Sequence, residues 1–310
     1  LQFGLVVAKR TLHQLIRVGA NSVGAVVYLN GQFVSPEEAK ISIFDHGYLF
    51  GDGIFETLRS YGGAIFKLPQ HLNRLFDSAR YMRMVIPLSS GDLEKLCHEA
   101  LQRSSLKDAY LRITVSRGVG ARGIDPDHCK TPTLSIIVKD LPYYPVECYS
   151  SGIATRIVSI RKFSADSSSS RVKGCNYQHN ILAKIELNQH GMIEGLLLNN
   201  EGFVAEGTVS NVFVVNNGII STPSLACGCL EGITRNTVID LAAQKCGLTV
   251  RQTQITRYEL YTADECFVTN TIMELIPVVT IDGRTIGQGT PGPTTRALAG
   301  LYQDLVKNEG

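Results

Sequence analysis

Two domains of mixed structure, α/β (α+β) in class, are what this sequence predicts, and three observations lead there. The chain has 310 residues, longer than the usual single domain, so two cores meeting at one interface are expected. Its first half reads strands, then two helices, then strands. The stretch Asp140 to Gly152, "DLPYYPVECYSSG", holds two prolines and no regular period, which marks a linker. The expected division is a small α+β domain over 24–140, a linker over 141–152 and a larger domain over 153–310. Residues 1–23, which begin "LQFGLVVAKRTLHQLIRVGANS", carry Lys9, Arg10 and Arg17 and no acid. They are faintly like a transit peptide but short and poor in serine, so they are read as an extension outside the fold.

The elements follow in order. "VVYLNGQFV" is two β-rich runs joined by Asn30-Gly31, a pair suited to the positive φ angles of a tight hairpin. "GIFETLRSYGGAIFKL" gives two more strands around Gly62-Gly63. After Pro69, residues Leu72, Leu75, Phe76, Ala79 and Met82 recur at helical spacing, and Leu93, Leu96, Cys97, Ala100 and Leu101 do so after Gly91-Asp92. "AYLRITVSR" and "TLSIIVKD" return to strands. The second domain opens with the strand "IATRIVSI" and the polar loop "SADSSSS", then a helix from about Asn176 to Gln189 and the strand "GLLLN". The hairpin "NVFVVNNGIIST", a helix from Thr234 to about Lys245, strands near Thr249 and Cys266, and a helix from Pro293 to Val306 complete it.

Composition narrows the function. A hydrophobic fraction of 44% and a charged fraction of 19% are those of an ordinary globular protein. No apolar run reaches the roughly 18 residues of a membrane span. A net charge of +2 without a Lys/Arg block points away from nucleic acid and anionic membranes. A small-molecule enzyme fits better. The eight cysteines are scattered through apolar segments and read as the reduced thiols of a cytoplasmic protein. Cys227-Gly-Cys229 has no second Cys or His pair at zinc spacing, so no metal is assigned.

"GVGARG", Gly118 to Gly123, matches G-x-G-x-x-G after a predicted strand, but Pro126 and Pro132 follow and no helix opens there. It reads as a loop, with substrate contact as one use for it. Three features of the second domain carry more chemistry. Lys173 stands at the end of an irregular polar segment just before an apolar helix, where its amine projects into a cleft and, poorly solvated, becomes a nucleophile toward carbonyls. Glu206 lies among small and apolar residues, where a carboxylate needs a cation. Gly232, Ile233 and Thr234 open a helix, whose free N–H groups favour a phosphate. Amine, carboxylate and anion cradle together match the requirements of pyridoxal phosphate. Taken singly, each also reads as ordinary: a surface lysine, a turn residue, a helix start.

Nine stretches in order, "YLNGQFV", "DHGYLFGDGIFETLR", "HLNRL", "AYLRITVSRGVG", "VKGCNY", "EGTVSNVF", "LEGITR", "ADECFVTNT" and "IPVVTIDG", resemble the class IV (fold type IV) pyridoxal-phosphate aminotransferases, from about Ala25 to Tyr302. The resemblance implies a small α+β N-terminal domain, a larger C-terminal pseudo-barrel domain that binds pyridoxal 5'-phosphate, and a homodimer in which a loop of the neighbouring subunit closes each site. It implies that Lys173 carries the cofactor and shuttles the substrate proton, with Lys184 in "LAKIE" the rival lysine. By the same resemblance Glu206 partners the ring nitrogen and Tyr177 the phenolic oxygen, while Arg74, Ile233, Thr234 and Thr271 hold the phosphate.

For substrate, "AYLR" resembles the Tyr-x-Arg of branched-chain enzymes, in which Tyr110 and Arg112 hold a carboxylate, and Phe55 agrees with them. Phe50 and Thr57 depart from their Tyr and Gly. Arg122 falls where D-amino acid enzymes place a carboxylate-binding arginine, although Ile124 stands in place of their helper histidine. The expected reaction transfers the amino group of branched-chain L-amino acids to 2-oxoglutarate by a ping-pong mechanism. D-amino acid transamination and aminodeoxychorismate lyase chemistry are the alternatives.

Overall fold

The computed structural model describes residues 24–163 and 170–309. The extension 1–23 and nearly all of the polar serine loop lie outside the described residues. In the first half, strands β1 (Val26–Leu29), β2 (Gln32–Val34), β3 (Gly53–Tyr61), β4 (Ala64–Ile65), β5 (Ala109–Ser116) and β6 (Thr133–Asp140) form one six-stranded antiparallel sheet, ordered β2-β1-β6-β5-β3-β4. The first hairpin turns at Asn30 and Gly31 with φ of 46° and 102°, the left-handed pair that matches strand twist.

Three helices accompany this sheet: α1 (His46–Phe50), α2 (Leu68–Tyr81) and α3 (Ser90–Ser104). Hydrophobic period does not announce α1. Asp45 makes it, by accepting the Gly47 N–H at 2.7 Å. Pro69 sits in the first turn of α2, whose Leu68, Leu72, Leu75 and Ala79 are buried against the sheet together with Leu93, Cys97 and Leu101 of α3. Each fully buried leucine contributes about 1.5–3 kcal/mol. Strand β5 alternates as far as Val115, burying Ala109, Leu111, Ile113 and Val115 and turning Tyr110, Arg112 and Thr114 to the other face.

The second half contains α4 (Glu147–Ser150), β7 (Ile153–Thr155), β8 (Ile157–Arg161), α5 (Gln178–Gln189), β9 (Leu196–Leu198), β10 (Val204–Gly207), β11 (Asn211–Asn216), β12 (Ile219–Pro223) and α6 (Ile233–Cys246). Then come β13 (Val250–Thr253), α7 (Arg257–Tyr261), β14 (Glu265–Asn270), β15 (Glu274–Ile281), β16 (Arg284–Thr285) and α8 (Pro293–Glu309). A seven-stranded sheet runs β13-β12-β11-β14-β15-β16 with β7 on β15, and a three-stranded sheet runs β10-β9-β8. Leu196, Leu198 and Val204 of the smaller sheet share one buried cluster with Val212, Val268 and Ile276 of the larger. The pseudo-barrel takes this form, two sheets around a common core.

Three expectations need correction. "IATRIVSI" is not one strand: β7 pairs with β15 and β8 with β9, because the chain changes sheets at a corner near Arg156. The linker stretch is not wholly irregular, since α4 buries Cys148 in the core shared by the two sheets. Strand β15 escaped periodicity because it is buried nearly throughout, although the Asp282-Gly283 turn that ends it, with φ of 50° and 75°, is a hairpin signal.

The two halves touch along β3 and β4. Phe66 packs edge-on to Tyr302 of α8 at 5.7 Å between centroids, Tyr61 Oη donates to Glu274 at 2.8 Å, and Arg59 Nη1 donates to the Ile272 carbonyl at 2.7 Å. Between the halves lies a cavity.

Candidate active site

The cavity has a volume of about 560 Å³ and is lined from both halves. Its wall on the first sheet is set by register. In the β3–β5 ladder Thr57 faces Arg112 and Phe55 faces Thr114, so Phe55, Thr57, Tyr110 and Arg112 all line the cavity. Arg112 lies over the Phe55 ring at 3.8 Å from its centroid. That geometry holds the guanidinium as a cation–π partner with its outer edge available.

Lys173 is placed by backbone pairing across the two halves. Its carbonyl accepts the Phe55 N–H at 2.9 Å, and Gly53 O accepts the Cys175 N–H at 2.8 Å. Gly174 forms a bridge with Ile54. Pinned on both sides to β3, the lysine sends Nζ to 4.7 Å from the Phe55 centroid and 3.3 Å from Tyr177 Oη. Beside it the Cys175 thiol is pushed up by burial against the pull of Arg112, which keeps it neutral.

Two other lysines have been taken out of contention by their partners. Lys184 Nζ donates to the Ile193 carbonyl and does not line the cavity. Lys162 does line it, but its Nζ lies 2.5 Å from Glu206 Oε1. Glu206 Oε2 accepts the Leu230 N–H at 2.7 Å, so both oxygens of this buried carboxylate are anchored. The cation that the apolar surroundings of Glu206 call for is Lys162, which in sequence order is no more than the residue after a strand.

At another side of the cavity Arg74, on α2, donates from Nε and Nη2 to the two oxygens of Glu56 and from Nη1 to the Glu231 carbonyl, all at 2.7 Å. His71, one turn earlier, meets Glu56 at 2.7 Å. Burial would raise the Glu56 carboxyl, but Arg74 and His71 overcome this and hold it at about 2. Arg74 is thereby aimed at the start of α6. That helix opens at Gly232 with no side-chain cap, leaving its first N–H groups for a ligand. A Cβ at Gly232 would lie 2.0 Å from Asn211 Oδ1, so the opening is a cradle that no larger residue fits. Thr269 Oγ1 is buried with no hydrogen-bond partner among the described residues, and Thr269, Thr271, Ile233 and Thr234 line the same region. Orphaned donors, an N-terminal cradle and an arginine suit a phosphate ester.

The cavity therefore brings together Phe55, Arg74, Tyr110, Arg112, Lys173, Tyr177, Glu206, Ile233, Thr234 and Thr271. It does not include Arg122, which is exposed on the loop between β5 and β6. Of the residues that sequence reasoning passed over, Glu56 had a signal: it alternates with Ile54 and Leu58 on the buried face of β3.

A family model described as amino-transferase class IV matches residues 53–281. The chain belongs to the class IV aminotransferases. Among relatives of this class IV chain, branched-chain-amino-acid aminotransferase from Pseudomonas aeruginosa is 36% identical over 289 residues, 92% of this chain and 94% of that protein. The crystal structure of the Escherichia coli branched-chain amino acid aminotransferase superposes with a TM-score of 0.87 at 30% identity, covering 92% of this chain and 95% of that one. The branched-chain amino acid aminotransferase of Thermobaculum terrenum in its PLP form gives a TM-score of 0.82 at 29% identity over 92% and 94% of the two chains. Both fold and family thus agree with the resemblance carried by the nine stretches.

Proposed function

We propose that this protein is a pyridoxal 5'-phosphate-dependent transaminase that moves the amino group of branched-chain L-amino acids (Leu, Ile, Val) to 2-oxoglutarate in a ping-pong cycle. One observation carries the reading. Among the described residues two lysines line the cavity, of which Lys162 is paired with a carboxylate while Lys173 meets a phenol and aromatic faces. The relatives named above support both the cofactor and the substrate class.

When bound, pyridoxal 5'-phosphate supplies an aldehyde that captures amines and a ring that draws electrons from the substrate Cα. Lys173 would hold the cofactor, and its Nζ would take up and deliver the proton of the substrate Cα. Tyr177 supplies a hydroxyl for the phenolic oxygen, and Glu206 holds a proton at the ring nitrogen. Arg74, the N–H groups of Ile233 and Thr234, and the Thr271 hydroxyl bind the phosphate. Tyr110 and Arg112 take the substrate carboxylate, and Phe55 offers an apolar wall to a branched side chain. The donor leaves as its 2-oxo acid and 2-oxoglutarate leaves as L-glutamate, so nitrogen balances over the two halves.

A homodimer completes the reading. Ile43, Phe44, Tyr48 and Leu49 are exposed, and the bridge between Asp45 and Val119 brings the exposed Val119 beside this segment. Such a cluster of exposed apolar side chains suits an association surface, and its occupant is a second copy of the chain. Arg122, in the same loop, then reaches substrate in the partner's pocket. Among the described residues no helix is long and apolar enough to cross a membrane, and the eight free cysteines fit the cytoplasm.

Borohydride reduction of the loaded protein followed by peptide mapping tests the attachment, with label expected on Lys173. Label on Lys162, or none, rejects it. Rates with L-leucine, L-valine and D-alanine, each with 2-oxoglutarate, test the substrate. Turnover of D-alanine without either L-amino acid overturns the assignment, as does pyruvate release from aminodeoxychorismate without any acceptor.

A further inference from the structure

Lys162 is the second amine of the cavity, and the reaction as derived leaves it idle. It follows β8 and reaches across to β10, where the Lys162 and Glu206 side chains are only 11% and 8% exposed. Apolar residues would fill such a place at no loss of stability, so a buried pair is weak evidence for a structural role. The carboxylate has about four lone-pair sites. Lys162 and the Leu230 N–H use one on each oxygen, which fixes where the others point. The groups facing Lys162 are Glu206 from β10, Tyr177 and His179 from the start of α5, and Cys229 from the loop before α6. Burial lowers the His179 imidazole and pushes the Cys229 thiol to about 12, so both are neutral. Neither His179 ring nitrogen has a partner among the described residues. Lys162 therefore supplies the positive charge at this end of the cavity.

We infer that Lys162 is a positioning residue that aims the Glu206 carboxylate and balances its charge, and through it sets how tightly the cofactor's ring system holds its protons. This rests on the proposed cofactor. Burial opposes the charge on Lys162, but Glu206 outweighs it and raises the amine above its ordinary value, so Lys162 stays cationic in this buried place.

The test is made on holoenzyme, reading the pH midpoint of the bound cofactor's visible absorbance band and the dissociation constant of pyridoxal 5'-phosphate. The variants are Lys162→Gln, Lys162→Arg, Glu206→Gln and the Lys162→Gln/Glu206→Gln double. Lys162→Gln removes the charge and keeps a donor. It is expected to raise the midpoint by about one pH unit, because the Glu206 carboxylate then faces the ring without its cation partner, and to weaken cofactor binding about tenfold. Lys162→Arg restores both values. The double variant matches Glu206→Gln alone, because Lys162 acts only through Glu206. An unmoved midpoint in Lys162→Gln, or additive effects in the double variant, overturns the inference. If Lys162→Gln does not accumulate folded, Lys162→Met is read with the same two outcomes. Borohydride labelling of the same samples separates the two failures: no label on Lys173 in the unsubstituted enzyme removes the cofactor reading, whereas label with an unmoved midpoint removes only the role of Lys162.

Discussion

Arg74 grips Glu56 through two parallel hydrogen bonds of 2.7 Å each. Bidentate pairing fixes a guanidinium in orientation as well as in place, and the remaining arm of Arg74 already touches the Glu231 carbonyl beside the α6 start. Under the proposed function, this phosphate site is preorganised by a carboxylate that does not itself line the cavity.

Replacing Glu56 by glutamine leaves Arg74 buried with no anion. Breaking one side of a buried pair costs about 3–5 kcal/mol, and here a bound phosphate takes over part of the missing charge. Glu56→Gln is therefore expected to lower the melting temperature of the apoprotein more than that of the holoprotein. Equal losses in the two forms would show that Arg74 does not face the phosphate.

The same cluster makes stability depend on pH in two windows. Burial holds His71 below its ordinary value of 6.5, so the folded protein binds fewer protons than the unfolded chain and stability falls as pH drops below about 6.5. Glu56 is held at about 2, down from 4.5. Its contribution is complete above 4.5 and is lost as pH falls toward 2. Urea unfolding at pH 7, 5.5 and 3.5 should show both declines, and Glu56→Gln should lack the lower one. A flat profile from pH 7 to 3.5 would contradict this.

Gly232→Ala tests the cradle. The backbone there, at φ −72°, accepts alanine, so the main obstacle is the Asn211 Oδ1 that lies 2.0 Å from the new methyl position, with Arg235 Cβ a tight contact at 3.3 Å. Cofactor affinity is expected to fall at least about tenfold while the melting temperature moves little, the loss of one or two charge-assisted hydrogen bonds being of that size. Adding Asn211→Ala should recover part of the affinity. No recovery would place the effect elsewhere.

Tyr177→Phe removes a hydroxyl 3.3 Å from Lys173 Nζ and keeps the ring that packs edge-on to Phe55 at 5.3 Å. Stability should stay within about 0.5 kcal/mol, while the cofactor absorbance shifts and kcat falls about tenfold or more. An unchanged spectrum would remove Tyr177 from the site.

What could be read from the chain alone follows the range of the forces involved. The Asn30-Gly31 hairpin and the helices α2 and α3 depend on turn chemistry and on spacing within a few residues, and these local signals locate them to within two or three positions. α1 depends on one side-chain cap that hydrophobic periodicity does not register, and the division of "IATRIVSI" depends on which partner strand each half meets, which no local pattern records. Glu56 was legible in principle, as a charge on the apolar face of an alternating strand. Lys162 was not, because the residue that gives it meaning stands 44 positions away.

By itself the sequence determined the family, the kinds of groups the chemistry needs and the strand alternation that turns Phe55, Thr57, Tyr110 and Arg112 toward one wall. Only the tertiary structure decided which lysine keeps a free amine, what cation answers Glu206 and what holds Arg74 in place. Residue type and spacing set intrinsic reactivity and local shape, whereas ionisation and orientation depend on burial and on partners that only the folded chain brings within about 3 Å.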